Sequence, residues 1–231
     1  MLTLILAESS LETIPEKLWS HPSIVKFAES KGKSPEFILL DRSYHHHVMI
    51  RLEGAEKRGR PDIVHRSLLI ALDSPLNREG LLRVFVHTLN DSVVTVQPET
   101  RLPRNYNRFI GLIEQLFQLG SVPPEGETLL KIEKKTLKAL LEELDPDRII
   151  GFSQSGIPQT IKETISNLKG KENICFLIGG FPHGDFSEET RRLFDEEVSI
   201  DKEGLDASTV VSRVIYEYEV AYGLPKKRLR R

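Results

Sequence analysis

Residues 174–186 read ICFLIGGFPHGDF, an apolar run that ends on paired glycines, and residues 197–208 read EVSIDKEGLDAS, a shorter run that opens into polar residues. A continuous apolar run bounded by Gly179-Gly180 predicts a buried, parallel strand. Ligands of open α/β sheets sit in the loops that leave strand C-termini. Three such loops lie in this half of the chain: Phe152-Ser153-Gln154-Ser155-Gly156, Gly179 to Gly184, and Ile200 to Leu205. Glycines there let a ligand approach the backbone closely and permit φ > 0, so backbone groups can read a flat base; the alternative is that they only make turns. There is no Gly-x-Gly-x-x-Gly and no P-loop.

Outward from this stretch, the pattern predicts a helix at 136–144, a strand at 148–151, a helix at 158–168, a helix at 187–194 and a last helix at 207–222. Regular alternation of strand and helix implies crossover connections and a parallel sheet. Upstream, VPPEGE (122–127) has the composition of a linker, and Arg104 to Gly120 carries apolar residues at helical spacing with a glycine stop. Residues 82–87 and 92–97 read as a strand pair, and LLIAL (68–72) as a buried strand. Residues 2–7 form a first strand, 9–19 is a helix-like stretch, and 37–40 is a short strand. Helices are expected at 22–30, with Gly32 as stop, and after an Asp41 N-cap.

With 231 residues, 39% hydrophobic and 29% charged, the chain can bury a substantial core as one domain, with an insertion near residues 20–60. The lone Cys175 sits in an apolar run, which excludes a disulfide framework and points to a reducing, cytoplasmic setting. The first apolar run is interrupted at Glu8 and has no basic flank, so neither a signal segment nor a membrane partner is expected. A net charge of −2 gives no global attraction to nucleic acid, so RNA binding must rest on local clusters.

Such a cluster is Arg101, Arg104 and Arg108, spaced by three and four around the predicted helix start; it is either a solvated edge or a set of phosphate contacts. Tyr106, between them, is a stacking platform for a base or a core residue. Arg60-Pro61-Asp62 is a charged turn or a braced arginine, and the basic tail KKRLRR (226–231) is a solvated end or a further phosphate contact. His45-His46-His47 lacks ligand spacing on one helix face, so no metal is expected. Ser153 and Ser155 lie outside any Gly-x-Ser-x-Gly elbow, and Cys175 reads as core.

Taken together, IGGFPHGDF (178–186), SIDKEGLDAS (199–208), GRPDIVHRSLL (59–69), DSPLNREG (73–80) and RLPRNYNRFIGLIEQL (101–116) resemble the SPOUT-class methyltransferases that act on N1 of pseudouridine in small-subunit ribosomal RNA of archaea and eukaryotes. The resemblance spans nearly the whole chain. It implies an α/β fold with a trefoil-knotted parallel sheet, helices on both faces and a family-specific insertion. It also implies S-adenosylmethionine as cofactor, held by Phe152, Gly179, Gly184, Ile200, Asp201, Lys202, Glu203, Gly204 and Leu205. Arg60, Arg101, Arg104 and Arg108 become RNA contacts, with Asp62 either orienting Arg60 or assisting proton removal. A homodimer through the last helix is implied, with ribosomal RNA and other assembly factors as partners. Two other functions stay open: a non-catalytic ribosome-assembly factor, and a knotted methyltransferase acting on another RNA position.

Overall fold

The computed structural model describes residues 1–230, so Arg231 of the basic tail lies outside the described residues. Its strands are β1 (Leu2–Ser9), β2 (Leu82–Thr88), β3 (Ser92–Val96), β4 (Ser121–Val122), β5 (Leu130–Lys134), β6 (Arg148–Pro158), β7 (Ile174–Gly179) and β8 (Glu196–Ser199). They form one sheet in the order β4-β5-β3-β2-β1-β7-β6-β8. The β2-β1-β7-β6-β8 portion is parallel throughout. The expected parallel sheet therefore holds for the functional half, whereas β3, β5 and β4 add an antiparallel wing. In that wing the VPPEGE stretch joins two paired strands instead of linking domains.

The helices are α1 (Pro22–Lys31), α2 (Arg42–Met49), α3 (Pro61–Asp73), α4 (Pro75–Arg78), α5 (Tyr106–Leu119), α6 (Leu137–Leu144), α7 (Ile161–Asn167), α8 (Glu188–Arg191), α9 (Ala207–Ala221) and α10 (Leu224–Leu229). They cover both faces of the sheet. Alternation along β1 and β7 sends Leu2, Leu4, Leu6, Ile174, Phe176 and Ile178 to one side, where α3, α5, α7 and α9 pack. Ile5, Ala7, Cys175 and Leu177 point to the other, against Leu137, Leu140 and Leu141 of α6 and Phe186. A separate small core of Ile14, Ile24, Ile38, Leu40, Val48 and Met49 lies under α1 and α2.

Three expectations for the N-terminal half need correction. LLIAL (68–72) is helical: Pro61 opens α3, and Val64, Leu68 and Ala71 share its buried face, a spacing that a five-residue window hides. Residues 9–19 contain only a 3-10 turn at Glu16–Leu18, and 37–40 only a single bridge from Leu39 to Thr13. No helix among the described residues is long and apolar enough to cross a membrane.

One irregularity shapes the site. β6 pairs with β8 twice, so that Val198 faces Phe152 and also Ile157, and residues 153–156 make a detour between them. Gly156 is required there, because a Cβ at that position would stand 2.6 Å from the backbone nitrogen of Val198.

Candidate active site

The expected first loop, 152–156, is part of β6 itself, and its detour, with the loops leaving β7 and β8, encloses a cleft of about 470 Å³. Its floor is apolar, from Phe152, Ile178, Val198 and Val210, and its walls include Gly179, Gly184, Ile200 and Leu205. Asp201, Glu203 and Gly204 also line it. Every residue expected to hold the cofactor is thus brought together except Lys202, whose side chain is exposed and whose carbonyl accepts from Gln154 Nε2 at 3.3 Å. Gly184 takes φ 87°, a left-handed conformation that favours glycine, where the 181–186 loop reverses. Gly180 has no room for a side chain, since a Cβ would meet Ser9 Oγ at 2.1 Å.

The electrostatics of this cleft are acidic and mostly braced. Arg191 bridges Asp185 at one end and lies 3.4 Å from Glu197. Ser153 Oγ donates to Glu197 at 2.5 Å, and Ser155 Oγ to Asp185 at 2.6 Å. These hydroxyls therefore serve carboxylates and not His183, which removes the hydrolase geometry. Asp201 lies 3.9 Å from Arg213. Asp206, at the N-cap of α9, makes no capping bond with its side chain and faces the cleft.

The two expected constellations are joined through the backbone, because Arg60 N donates to Ser10 Oγ at 2.7 Å and Ser10 N donates to the Gly180 carbonyl at 2.8 Å. Arg60 Nε and Nη2 bond both oxygens of Asp62, at 2.7 and 2.9 Å, and Arg66 adds a third contact at 3.0 Å. Burial pushes the Asp62 carboxyl upward, but the hydrogen bond and charge of Arg60, with the charge of Arg66, outweigh it and hold Asp62 below its ordinary value. A carboxylate so held is a poor proton acceptor. Of the two roles left open for Asp62, the geometry favours orientation of Arg60.

The other arginines are arranged differently from the expectation. α5 begins at Tyr106 behind an Asn105 cap, so Arg101 and Arg104 precede the helix and only Arg108 lies on it. Arg101 and Arg104 rim a groove of about 1180 Å³ shared with α3, α4 and α9, including Ile70, Ser212 and Tyr216. Arg108 is exposed beyond that groove. The segment is fastened to α3 by His65, whose Nε2 donates to the Pro103 carbonyl at 2.7 Å while its ring stacks on Phe109 at 4.2 Å. Burial lowers the His65 pKa, which keeps the ring neutral with its proton on Nε2.

Tyr106 is an anchor instead of a stacking platform, its hydroxyl donating to Asp41 Oδ2 at 2.5 Å. Of the histidine triplet, His45 is buried and accepts from the Asp41 backbone at 3.0 Å, while His47 contacts Ser23 at 2.9 Å. Cys175 is fully buried and its thiol is pushed up to about 12 by desolvation. Residues that sequence reasoning missed include Glu8, Lys57, His65, Phe181 and Asp206. Lys57 lay inside a stretch (53–61) that reads only as a charged connection, and no local pattern marks it.

The sequence model of the EMG1/NEP1 methyltransferases matches residues 4–219. The ribosomal RNA small subunit methyltransferase Nep1 of Thermococcus kodakarensis is 48% identical over 227 residues, covering 97% of this chain and 100% of its own. The protein of the same name from Pyrococcus furiosus is 48% identical over 221 residues, 94% of this chain and 96% of its own. Among solved structures, Archaeoglobus fulgidus Nep1 bound to S-adenosylhomocysteine superposes with a TM-score of 0.85 at 43% identity, covering 96% of this chain and 98% of that one. The fold is accordingly the SPOUT-type α/β arrangement that the resemblance implied. With a match from end to end of the sheet, the chain belongs to the EMG1/NEP1 methyltransferase family.

Proposed function

We propose that this protein transfers a methyl group from S-adenosylmethionine to N1 of a pseudouridine in small-subunit ribosomal RNA. The observation that carries the reading is the junction at Arg60: its guanidinium is braced by Asp62, and its backbone nitrogen donates to Ser10 Oγ at 2.7 Å while Ser10 N donates at 2.8 Å to the carbonyl of Gly180, in the turn that walls the cleft. The relatives named for small-subunit ribosomal RNA methylation support the substrate, and the S-adenosylhomocysteine in the A. fulgidus protein supports the cofactor.

The cleft fits that cofactor chemically. Phe152, Ile178, Val198 and Val210 offer a flat base an apolar bed, and close backbone at Gly179 and Leu205 offers donors and acceptors at its edge. Asp201, Glu203 and Asp206 give the cleft the negative charge that suits a sulfonium. When bound, the cofactor supplies an activated methyl group. The protein has then to align acceptor nitrogen and methyl, exclude water and accept one proton. Pseudouridine offers a free N1–H, where uridine uses N1 for its glycosidic bond, so no cysteine nucleophile is needed and the buried Cys175 takes no part. Arg60, set by Asp62, together with Arg101, Arg104 and Arg108, binds phosphates around an unpaired nucleotide.

A homodimer completes the reading. Tyr216 and Val220 of α9 and Tyr222 at its C-terminal end are 59%, 46% and 52% exposed. With Lys162 and Ile165 they form a groove of about 530 Å³ beside α7, an apolar face that suits a second copy of the chain. Sedimentation velocity at micromolar concentration is expected to give a dimer, and a species of monomer mass at all concentrations would remove it.

The deciding experiment is methyl transfer from labelled S-adenosylmethionine to two RNA hairpins that differ only in uridine or pseudouridine at one loop position. Label on the pseudouridine hairpin alone is expected. Label on both would discard N1 of pseudouridine as the target, and label on neither, with RNA still bound, would favour an assembly factor.

A further inference from the structure

We infer that Lys57 is a positioning residue for the loop 181–186, holding the wall of the cofactor cleft in its binding shape; this rests on the cleft being the cofactor site. Three contacts converge on one side chain. Lys57 Nζ lies 2.7 Å from Glu8 Oε2 and donates to the Asp185 carbonyl. It stands 4.5 Å from the centre of the Phe181 ring. Its stem runs beneath Gly184, where a Cβ would lie 3.4 Å from Lys57 Cε. Phe181, Gly184 and Asp185 all line the cleft, whereas Lys57 itself does not.

The partner Glu8 is fixed from several sides. Its Oε1 accepts from the Ser187 backbone at 2.8 Å, and its own backbone nitrogen donates to His87 Nδ1 at 3.3 Å. Glu8 sits at φ 49°, in the left-handed region that a non-glycine residue rarely adopts. The charge pair is largely out of solvent, with side chains 18% and 8% exposed. A buried carboxylate that lost its cation here would be left uncompensated, so the pair is rigid as long as both members are present.

The same segment is tied to the cleft a second time. Arg60 N donates to Ser10 Oγ at 2.7 Å, and Ser10 N donates to the Gly180 carbonyl at 2.8 Å. Residues 57–60 therefore brace both ends of the turn after β7 while presenting Arg60 outward. A loop ordered before the cofactor arrives does not have to be ordered by it, and affinity gains by that difference.

The test uses Lys57→Met, which keeps length and removes charge, with Lys57→Arg as the conservative variant. Titration calorimetry of the full chain with S-adenosylhomocysteine is expected to show Kd raised about tenfold by Lys57→Met and largely restored by Lys57→Arg. The KM for S-adenosylmethionine should rise with it, while kcat at saturation and RNA affinity without cofactor stay within about twofold, because Lys57 touches neither reacting group. A purely structural lysine would not produce that split. If Lys57→Met does not fold, Lys57→Gln is read by the same criteria. Wild type that binds S-adenosylhomocysteine, with a folded Lys57 variant that binds it within twofold, overturns the inference alone. Wild type that does not bind it overturns the cofactor assignment as well.

Discussion

The cleft at the strand ends and the arginine face are built on opposite principles. The cleft is made of backbone: three loops forced together by the sheet order, with Gly156, Gly180 and Gly184 where a side chain does not fit or the chain must turn left. The arginine face is made of side chains, and only Arg60 has its guanidinium fixed, by Asp62. Arg101, Arg104 and Arg108 are exposed and paired with no carboxylate among the described residues. A surface of the first kind is specific by shape and fails sterically. One of the second kind binds through charge, tolerates substitution and answers to salt.

The largest expected effect tests the steric half. Gly156→Ala drives a Cβ into the Val198 backbone, which cannot swing aside as a side chain would, so a loss of about 3 kcal/mol in unfolding stability is expected from denaturant titration. A variant as stable as wild type would mean that the 153–156 detour is soft. Gly184→Val comes next. At φ 87° a β-branched residue is strained, and the expected result is a folded protein whose S-adenosylhomocysteine affinity falls by at least about tenfold while RNA affinity is kept. Normal cofactor binding would detach Gly184 from the site.

On the arginine face the effects are smaller and of another kind. Arg104→Ala removes about one phosphate contact. Plotted as log K against log salt, the RNA-binding slope should fall by about 0.7, with cofactor affinity unchanged. An unchanged slope would take Arg104 off the RNA surface. The smallest effect concerns pH. The carboxyl of Asp62 is held below its ordinary 3.8, so the pair with Arg60 is intact above that value and is lost only as pH falls through the still lower folded value. The RNA affinity of wild type relative to Asp62→Asn should therefore be constant between pH 8 and 5, and a ratio that changes in this window would return Asp62 to proton transfer.

The same contrast explains what was legible in the sequence. The loop after β7 was readable because an apolar run ending in glycines is a local signal, whereas the 152–156 segment, expected as a loop, is a detour within β6. The helical LLIAL run was misread because it is short and apolar on more than one side, and only Val64 upstream shows the period. The wing strand β5 was missed because LKIEK alternates weakly with charged residues and is identified by its partner β3. The arginine motif was found, but its presumed helical spacing was an accident of numbering, since Asn105 starts α5 later. Lys57 was invisible for a deeper reason: its meaning lies in Glu8, Phe181 and Asp185, which are distant in sequence.

That β1 lies between β2 and β7 has a consequence for biosynthesis. Leu2 pairs with Leu82 on one edge and with Ile174 on the other. A chain emerging in order can pair the first edge early, but the second stays open until the last quarter has been made. An apolar strand with one unpaired edge is a template for wrong pairing. Parallel pairing across such a separation is also slow to form. The same late segment carries β7 and β8, whose loops build the cleft, so completing the central strand and creating the cleft are one event in the life of the chain.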